Sequence, residues 1–198
     1  AYLRGLAGAV KDFCRERDVF PILVGVERLD RRAAERLDAH LGGDTPIFVS
    51  DEHEMYEMVA ILRRCSLIVS SRYHALVCSM PALVPSVGVT MDERIRNLMA
   101  DRGQPELALE VDDPDLDERL LAALERVEAE RDAVADGIGR CVVDNLARMG
   151  RMGGTLVDHV RRFHPDFPFA EGLGAEGDPW AHLPPLGPTV APLVERFA

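Results

Sequence analysis

With 198 residues, 47% of them hydrophobic, the chain is long enough to bury one core of ordinary size. Its net charge of −11 argues against a nucleic-acid or anionic-membrane surface, while a local cationic pocket for a small anion stays open. No apolar run approaches the ~20 residues of a membrane span, and no signal-peptide pattern is present.

The chain begins at Ala1 inside a helical pattern, without an initiator Met, as expected of a fragment. Leu3, Leu6, Ala7, Val10, Phe13 and Cys14 predict a helix over residues 2–17. Phe20 to Gly25 reads as a strand, with Pro21 at an early position where a missing N–H does little harm. Asp30 is placed to cap a helix from Arg31 to Leu41, which Gly42 and Gly43 end. Ile47 to Val49 is the next strand, and Ser50 is read as the cap of a helix that shares Met55, Met58, Val59 and Leu62 on one face.

Leu67 to Val69 predicts a short buried strand, followed by Ser70, Ser71 and a helix from Arg72 to Met80. Ser71 as N-cap puts Arg72, Tyr73 and His74 in the first helical turn, where unpaired N–H groups favour an anion. Pro85 limits the next strand to an edge, a bulge or a start near Ser86. Thr90-x-x-Glu93 reads as a capping box for a helix carrying Ile95, Leu98 and Met99 to a stop at Gly103. Leu107 to Val111 is a last short strand. Strands and helices alternating every ~20 residues predict an α/β chain with a doubly wound parallel sheet.

From Asp115 a helical stripe runs through Leu116, Leu120, Leu124, Val127, Val134, Ile138 and Cys141. It predicts a long helical segment, or two helices in series, loosened near Gly137 and Gly139, and Met149 to Gly154 reads as a helix break. Beyond Phe163 the chain is Pro- and Gly-rich, an irregular tail that Phe167, Phe169, Trp180 and Leu183 anchor along a surface. The expected domains are an α/β lobe over 1–112, helices packing on it over 113–163, and an extended tail over 164–198.

Arg72 and His74 carry the strongest functional signal. A guanidinium grips carboxylate or phosphate in a planar fork, and an imidazole delivers protons near neutral pH. Spacing alone equally allows Arg72 to pair with a surface carboxylate and His74 to be an ordinary helix residue. Glu27 and Asp30 follow one strand, and Asp51, Glu52 and His53 follow another; the helix starts account for the acids. Glu27 and His53 are nevertheless candidates to face a ligand, because ligands of parallel sheets sit at the carboxyl ends of strands. His40, His159, His164 and His182 lack metal-ligand spacing, so no metal is predicted. Cys14, Cys65, Cys78 and Cys141 are far apart and read as reduced, buried thiols of a cytoplasmic protein. No Gly-x-Gly-x-x-Gly is present, which counts against a dinucleotide cofactor.

The strand followed by Ser70-Ser-Arg-Tyr-His-Ala-Leu76, the segment Val84-Pro-Ser-Val-Gly-Val89 and then Asp92-Glu-Arg-Ile95 resembles the C-terminal half of the polysaccharide pyruvyl transferases. The resemblance covers roughly Tyr2 to Gly103. It implies a Rossmann-like lobe of the two-lobed GT-B type, whose N-terminal partner lobe lies outside this chain. It implies transfer of the pyruvyl group of phosphoenolpyruvate, as a ketal, onto a sugar of a cell-surface polysaccharide. On that reading His74 is the general acid and Arg72 the anion clamp. Ser70, Ser71 and Tyr73 position the ligand, and phosphoenolpyruvate is the donor substrate with no separate cofactor.

Glu93 and Arg94 complete the candidate set. The capping box accounts for Glu93, whereas in nucleotide-sugar GT-B enzymes a carboxylate at such a helix start binds the donor. The family usually carries a small polar residue or Lys near the position of Arg94. A nucleotide-sugar-dependent glycosyltransferase or epimerase lobe is therefore the alternative, and a non-catalytic lobe docking a partner through its tail is a third. Partners are a small donor and a glycan, not nucleic acid, with a homo-oligomer left open.

Overall fold

The computed structural model describes residues 2–169 and 173–198. Ala1 and the part of the tail expectation that falls on residues 170–172 lie outside them. The helices are α1 (Tyr2–Arg15), α2 (Asp30–Leu41), α3 (Met55–Arg64), α4 (Tyr73–Ser79), α5 (Glu93–Asp101), α6 (Leu116–Ala129), α7 (Arg131–Phe163) and α8 (Ala191–Phe197). The strands are β1 (Leu23–Gly25), β2 (Ile47–Val49), β3 (Ile68–Ser70), β4 (Ser86–Thr90) and β5 (Ala108–Glu110).

Every strand pair is parallel, as alternating strands and helices require. The ladders nonetheless divide into two small sheets, β1-β2 and β3-β4-β5, where the alternation leads one to expect one sheet. The strands other than β4 are three residues long. The ladder registers run Leu23 to Ile47, Ile68 to Ser86 and Gly88 to Ala108. β4 is central, not an edge: Pro85 precedes it and the strand starts at Ser86, so the missing N–H falls outside the strand. Phe20 also stays outside its strand and is 77% exposed.

The core gathers around β4, all five residues of which are buried. A Cβ on Gly88 would meet Ile95 of α5 at 2.4 Å and Leu76 of α4 at 3.8 Å, so this face of β4 lies against α4 and α5. α6 also packs on β4, through a stripe in which Leu120, Leu124 and Val127 are almost fully buried. β4 is thus covered on both faces, which is why all five of its residues, the polar Ser86 and Thr90 included, are buried. Arg102 and Gln104 are buried beside it; Arg102 donates to Gln104 Oε1 (3.0 Å) and Ser86 Oγ (2.9 Å), and Gln104 donates to the Val134 carbonyl (2.9 Å).

Helix starts differ from expectation in ways that matter for the site. The cap of α4 is Arg72, not Ser71, because Ser70 Oγ accepts from the Arg72 backbone N–H (3.0 Å) and holds that residue extended. α3 starts after Glu54, with Glu57 accepting from the Glu54 N–H (3.0 Å), so Ser50 caps nothing. Asp30 is the first residue of α2, following Leu29, and not its cap. At α5 the Thr90–Glu93 box is replaced by Asp92, which accepts from the Arg94 N–H at 2.9 Å, while Thr90 Oγ1 accepts from the Asp92 N–H at 2.7 Å.

The chain divides into two compact units, Ala1–Ile138 and Gly139–Ala198. α6 and α7 are two helices in series, but the interruption is at Glu130 and both Gly137 and Gly139 lie within α7. Met149 to Gly154 is likewise continuous helix. In the second unit these glycines let the tail approach: a Cβ on Gly150 would stand 2.1 Å from the Pro179 carbonyl oxygen, and one on Gly154 would stand 2.5 Å from that of Gly174. The tail therefore packs along α7, and Asp158 accepts from the Ala175 N–H (2.7 Å). Of the four free cysteines only Cys141 is buried; the other three are partly exposed. No helix among the described residues is long and apolar enough to cross a membrane.

Candidate functional site at the carboxyl ends of the strands

β3 ends at Ser70, and its hydroxyl links to both the N–H and the carbonyl of Arg72. This tight turn fixes where the Arg72 side chain leaves the backbone. The guanidinium reaches the carboxyl end of β1, where its Nε donates to Asp30 Oδ1 (3.1 Å) and its Nη2 donates to the same oxygen. Its Nη1 lies 3.2 Å from Glu27. Asp30 Oδ2 accepts from the Glu27 N–H (3.1 Å), so one carboxylate orders both the loop after β1 and the arginine. The hydrogen bond to Asp30 raises the Arg72 pKa further and keeps the group charged. Arg72 retains 40% side-chain exposure, so part of the guanidinium is available to a further anion.

Tyr73 follows, its ring edge-on to His74 with centroids 5.7 Å apart. Arg94 from α5 lies over the Tyr73 ring, 5.4 Å from its centroid. Asp92 accepts from Arg94, which depresses the Asp92 pKa below the usual carboxylate range. Tyr73 therefore touches both His74 and Arg94, while Glu27 stands beside Arg72. Ser71 is turned elsewhere: it hydrogen-bonds the Tyr2 hydroxyl on α1, whose pKa burial nevertheless raises. Glu93, at the first position of α5, is exposed and lies outside the cavity described next.

His74 is exposed and lines a cavity of about 760 Å³ bounded by the ends of β1 and β2 and by α3 and α4. Glu27, His53, Tyr56 and Cys78 line it too, and its volume is in the range that holds a small molecule. His53 lies 3.6 Å from Glu57 and packs on Phe48 at 5.6 Å between centroids. Asp51 and Glu52 stand at the rim, tied to Arg31 at 3.1 and 2.6 Å. That hydrogen bond from Arg31 lowers the Asp51 pKa. Met55, expected on the buried face of α3, is 67% exposed and lines this cavity instead, because the helix starts with it.

His74, Glu27 and His53 thus come together on one cavity wall. Arg72 is linked to it through Glu27, and Tyr73 and Arg94 through the Tyr73–His74 ring contact, whereas Ser71 and Glu93 do not line it. The sequence gives no signal for Tyr56 and Cys78 as site residues, and for Asp30 it favours a helix cap over a place in the cleft. Asp30 had a legible signal, since it follows the carboxyl end of a strand, but its cap assignment explained it locally. Among the described residues no group of three or more His, Cys, Asp or Glu side chains is arranged to hold a metal.

No solved structure matches the chain. Residues 8–93, from α1 to the first residue of α5, match the family model of the polysaccharide pyruvyl transferases. That stretch contains both Arg72 and His74, and over it the family read from the Ser-Arg-Tyr-His element is the one to which this chain is similar.

Proposed function

We propose that the chain is the donor-binding lobe of a polysaccharide pyruvyl transferase, Rossmann-like and of the GT-B type, acting in the cytoplasm with phosphoenolpyruvate as donor. The observation that carries this is the pairing at the end of β3: a half-exposed guanidinium and, two residues on, an imidazole facing a cavity. In the proposed reaction the Arg72 and Arg94 guanidiniums hold the carboxylate and phosphate of the donor. A protonated His74 delivers its proton to the methylene carbon, turning CH₂ into CH₃ and leaving an oxocarbenium-like centre at C2. One sugar hydroxyl adds to C2 and a second closes the ketal as the C2–O bond to phosphate breaks. Of the two hydroxyl protons released, one restores the imidazolium and the other leaves with phosphate. Ser70 contributes by setting the Arg72 backbone.

His74→Ala should lower turnover by about 10²–10⁴-fold, the usual worth of general acid catalysis, with the unfolding midpoint unchanged. An unchanged rate removes His74 from the chemistry. Phosphoenolpyruvate should raise the unfolding midpoint of the wild-type chain, by mass action on the folded state. Stabilisation by uridine or guanosine diphosphate instead would support a nucleotide-sugar enzyme.

A further inference from the structure

We infer that the exposed face of α7 between Met149 and Phe163 is a docking surface for one acidic, amphipathic α-helix of a partner protein. This face lies in the second unit and outside residues 8–93, so it stands apart from the pyruvyl-transfer reading.

Met149, Met152, Leu156, His159 and Phe163 follow one another at intervals of three, four, three and four residues. On a helix that spacing gathers side chains into one narrow seam, ~21 Å long here, of the kind that packs against a second helix. Its four apolar members are uncovered: Met149 is 58% exposed, Met152 71%, Leu156 61% and Phe163 62%. The tail leaves them bare because it packs where Gly150, Gly153 and Gly154 admit it. Arg148, Arg151 and Arg162 flank the seam along one side, and all three are exposed. Among the described residues neither Arg148 nor Arg151 is in an ion pair, and Arg162 lies over the Phe163 ring, 5.8 Å from its centroid. Residues 144–163 hold four arginines against two aspartates in a chain of net charge −11, so positive charge is concentrated beside the seam.

Charge and shape select the occupant. A second copy packed antiparallel, seam to seam, sets Arg148 against the second copy's Arg162, like against like. Packed parallel, it faces Arg148 with Gly153, which brings no acid. A membrane surface is served by a broad apolar face, whereas this seam is the narrow one of helix pairing. A helix with apolar residues at the matching spacing, and Glu or Asp on the flank facing the arginines, satisfies both features. The two methionines adapt to the shape of what packs on them.

Two fluorescein-labelled peptides of three heptads test this on the whole chain, both with Leu at the a and d positions. One carries Glu at e and g and the other Lys, so that neither pairs with itself. Fluorescence anisotropy should show the Glu peptide bound about 10–100-fold more tightly than the Lys peptide, and less tightly as salt is raised. Leu156→Asp should abolish binding, and Arg148→Glu combined with Arg151→Glu should reverse the preference. Both variants should keep the wild-type unfolding midpoint, because the altered side chains are exposed. No binding of either peptide, equal binding of both, or a Leu156→Asp variant that binds as the wild type does overturns the inference. Binding to phosphatidylglycerol vesicles that the Glu peptide cannot compete away overturns it in favour of a membrane. A wild-type dimer in sedimentation that Leu156→Asp makes monomeric overturns it in favour of a second copy.

Discussion

At the scale of single residues, the proposed function asks Arg72 to serve both order and binding. Two of its nitrogens converge on Asp30 Oδ1 and a third faces Glu27, so its plane is set before any ligand arrives. A lysine in its place offers one compact ammonium that cannot satisfy Asp30 and a donor anion together. Arg72→Lys should therefore lower kcat/KM for phosphoenolpyruvate by about 10–100-fold, the worth of one to two charge-assisted hydrogen bonds. Steady-state kinetics on the variant check this, and a value within twofold of wild type would show that charge alone suffices. The loop after β1 should keep its form in that variant, because Asp30 still accepts from the Glu27 N–H.

At the scale of elements, the central strand is where packing leaves least freedom. Gly88 stands opposite Ile95, and an added Cβ would come within 2.4 Å of that side chain. α5 would have to move, and with it Asp92 and Arg94 at its start. Gly88→Ala should cost about 1–3 kcal/mol in urea unfolding, as overpacking of a filled core does. Gly8→Ala is the matched control: nothing lies within 4 Å of a Cβ there, and α1 should gain about 0.5–1 kcal/mol from the better helix former. Equal effects at the two positions would refute the close approach of α5 to β4. Much of this level was readable beforehand. A strand start at Ser86 was one of the three readings Pro85 allowed, and a helix carrying Ile95, Leu98 and Met99 to a stop at Gly103 followed from the apolar spacing and a positive-φ glycine. Helix starts were less readable. Ser50, Ser71 and Thr90 are all good caps by residue type, and each lost to a neighbour because strand ends and side-chain turns decide where a helix can begin.

For the molecule as a whole, charge balance sets the response to acid. Hydrogen bonds from Arg31, Arg94 and Arg96 hold Asp51, Asp92 and Glu110 below the ordinary carboxylate range. Their folded-state pKa values are lower than the unfolded ones, so the unfolded chain binds more protons as the pH falls. The stability they contribute is complete above the unfolded carboxylate range, about pH 4–4.5, and is lost as pH drops through the folded values. Urea midpoints should fall with acidification over that window. Arg31→Ala or Arg96→Ala should make the decline shallower, and high salt should do the same because these pairs are exposed and screened. A decline as steep in both variants as in wild type would remove these pairs from the acid response.

The amino-acid sequence by itself determined the kinds of element and their order as far as α7, the parallel sense of the strands, and the family likeness around Arg72 and His74, but not α8 (Ala191–Phe197), which lies in a tail that reads as irregular and extended. These properties are carried by apolar spacing and by short motifs, in which neighbours in the chain are also neighbours in space. Only the tertiary structure decided that Arg72 is held by Asp30, 42 residues away, that His53 and His74 face one cavity, and that four carboxylates surround it. Those facts depend on which strand ends the crossovers bring together, and a local pattern does not encode the meeting of segments that far apart in the chain.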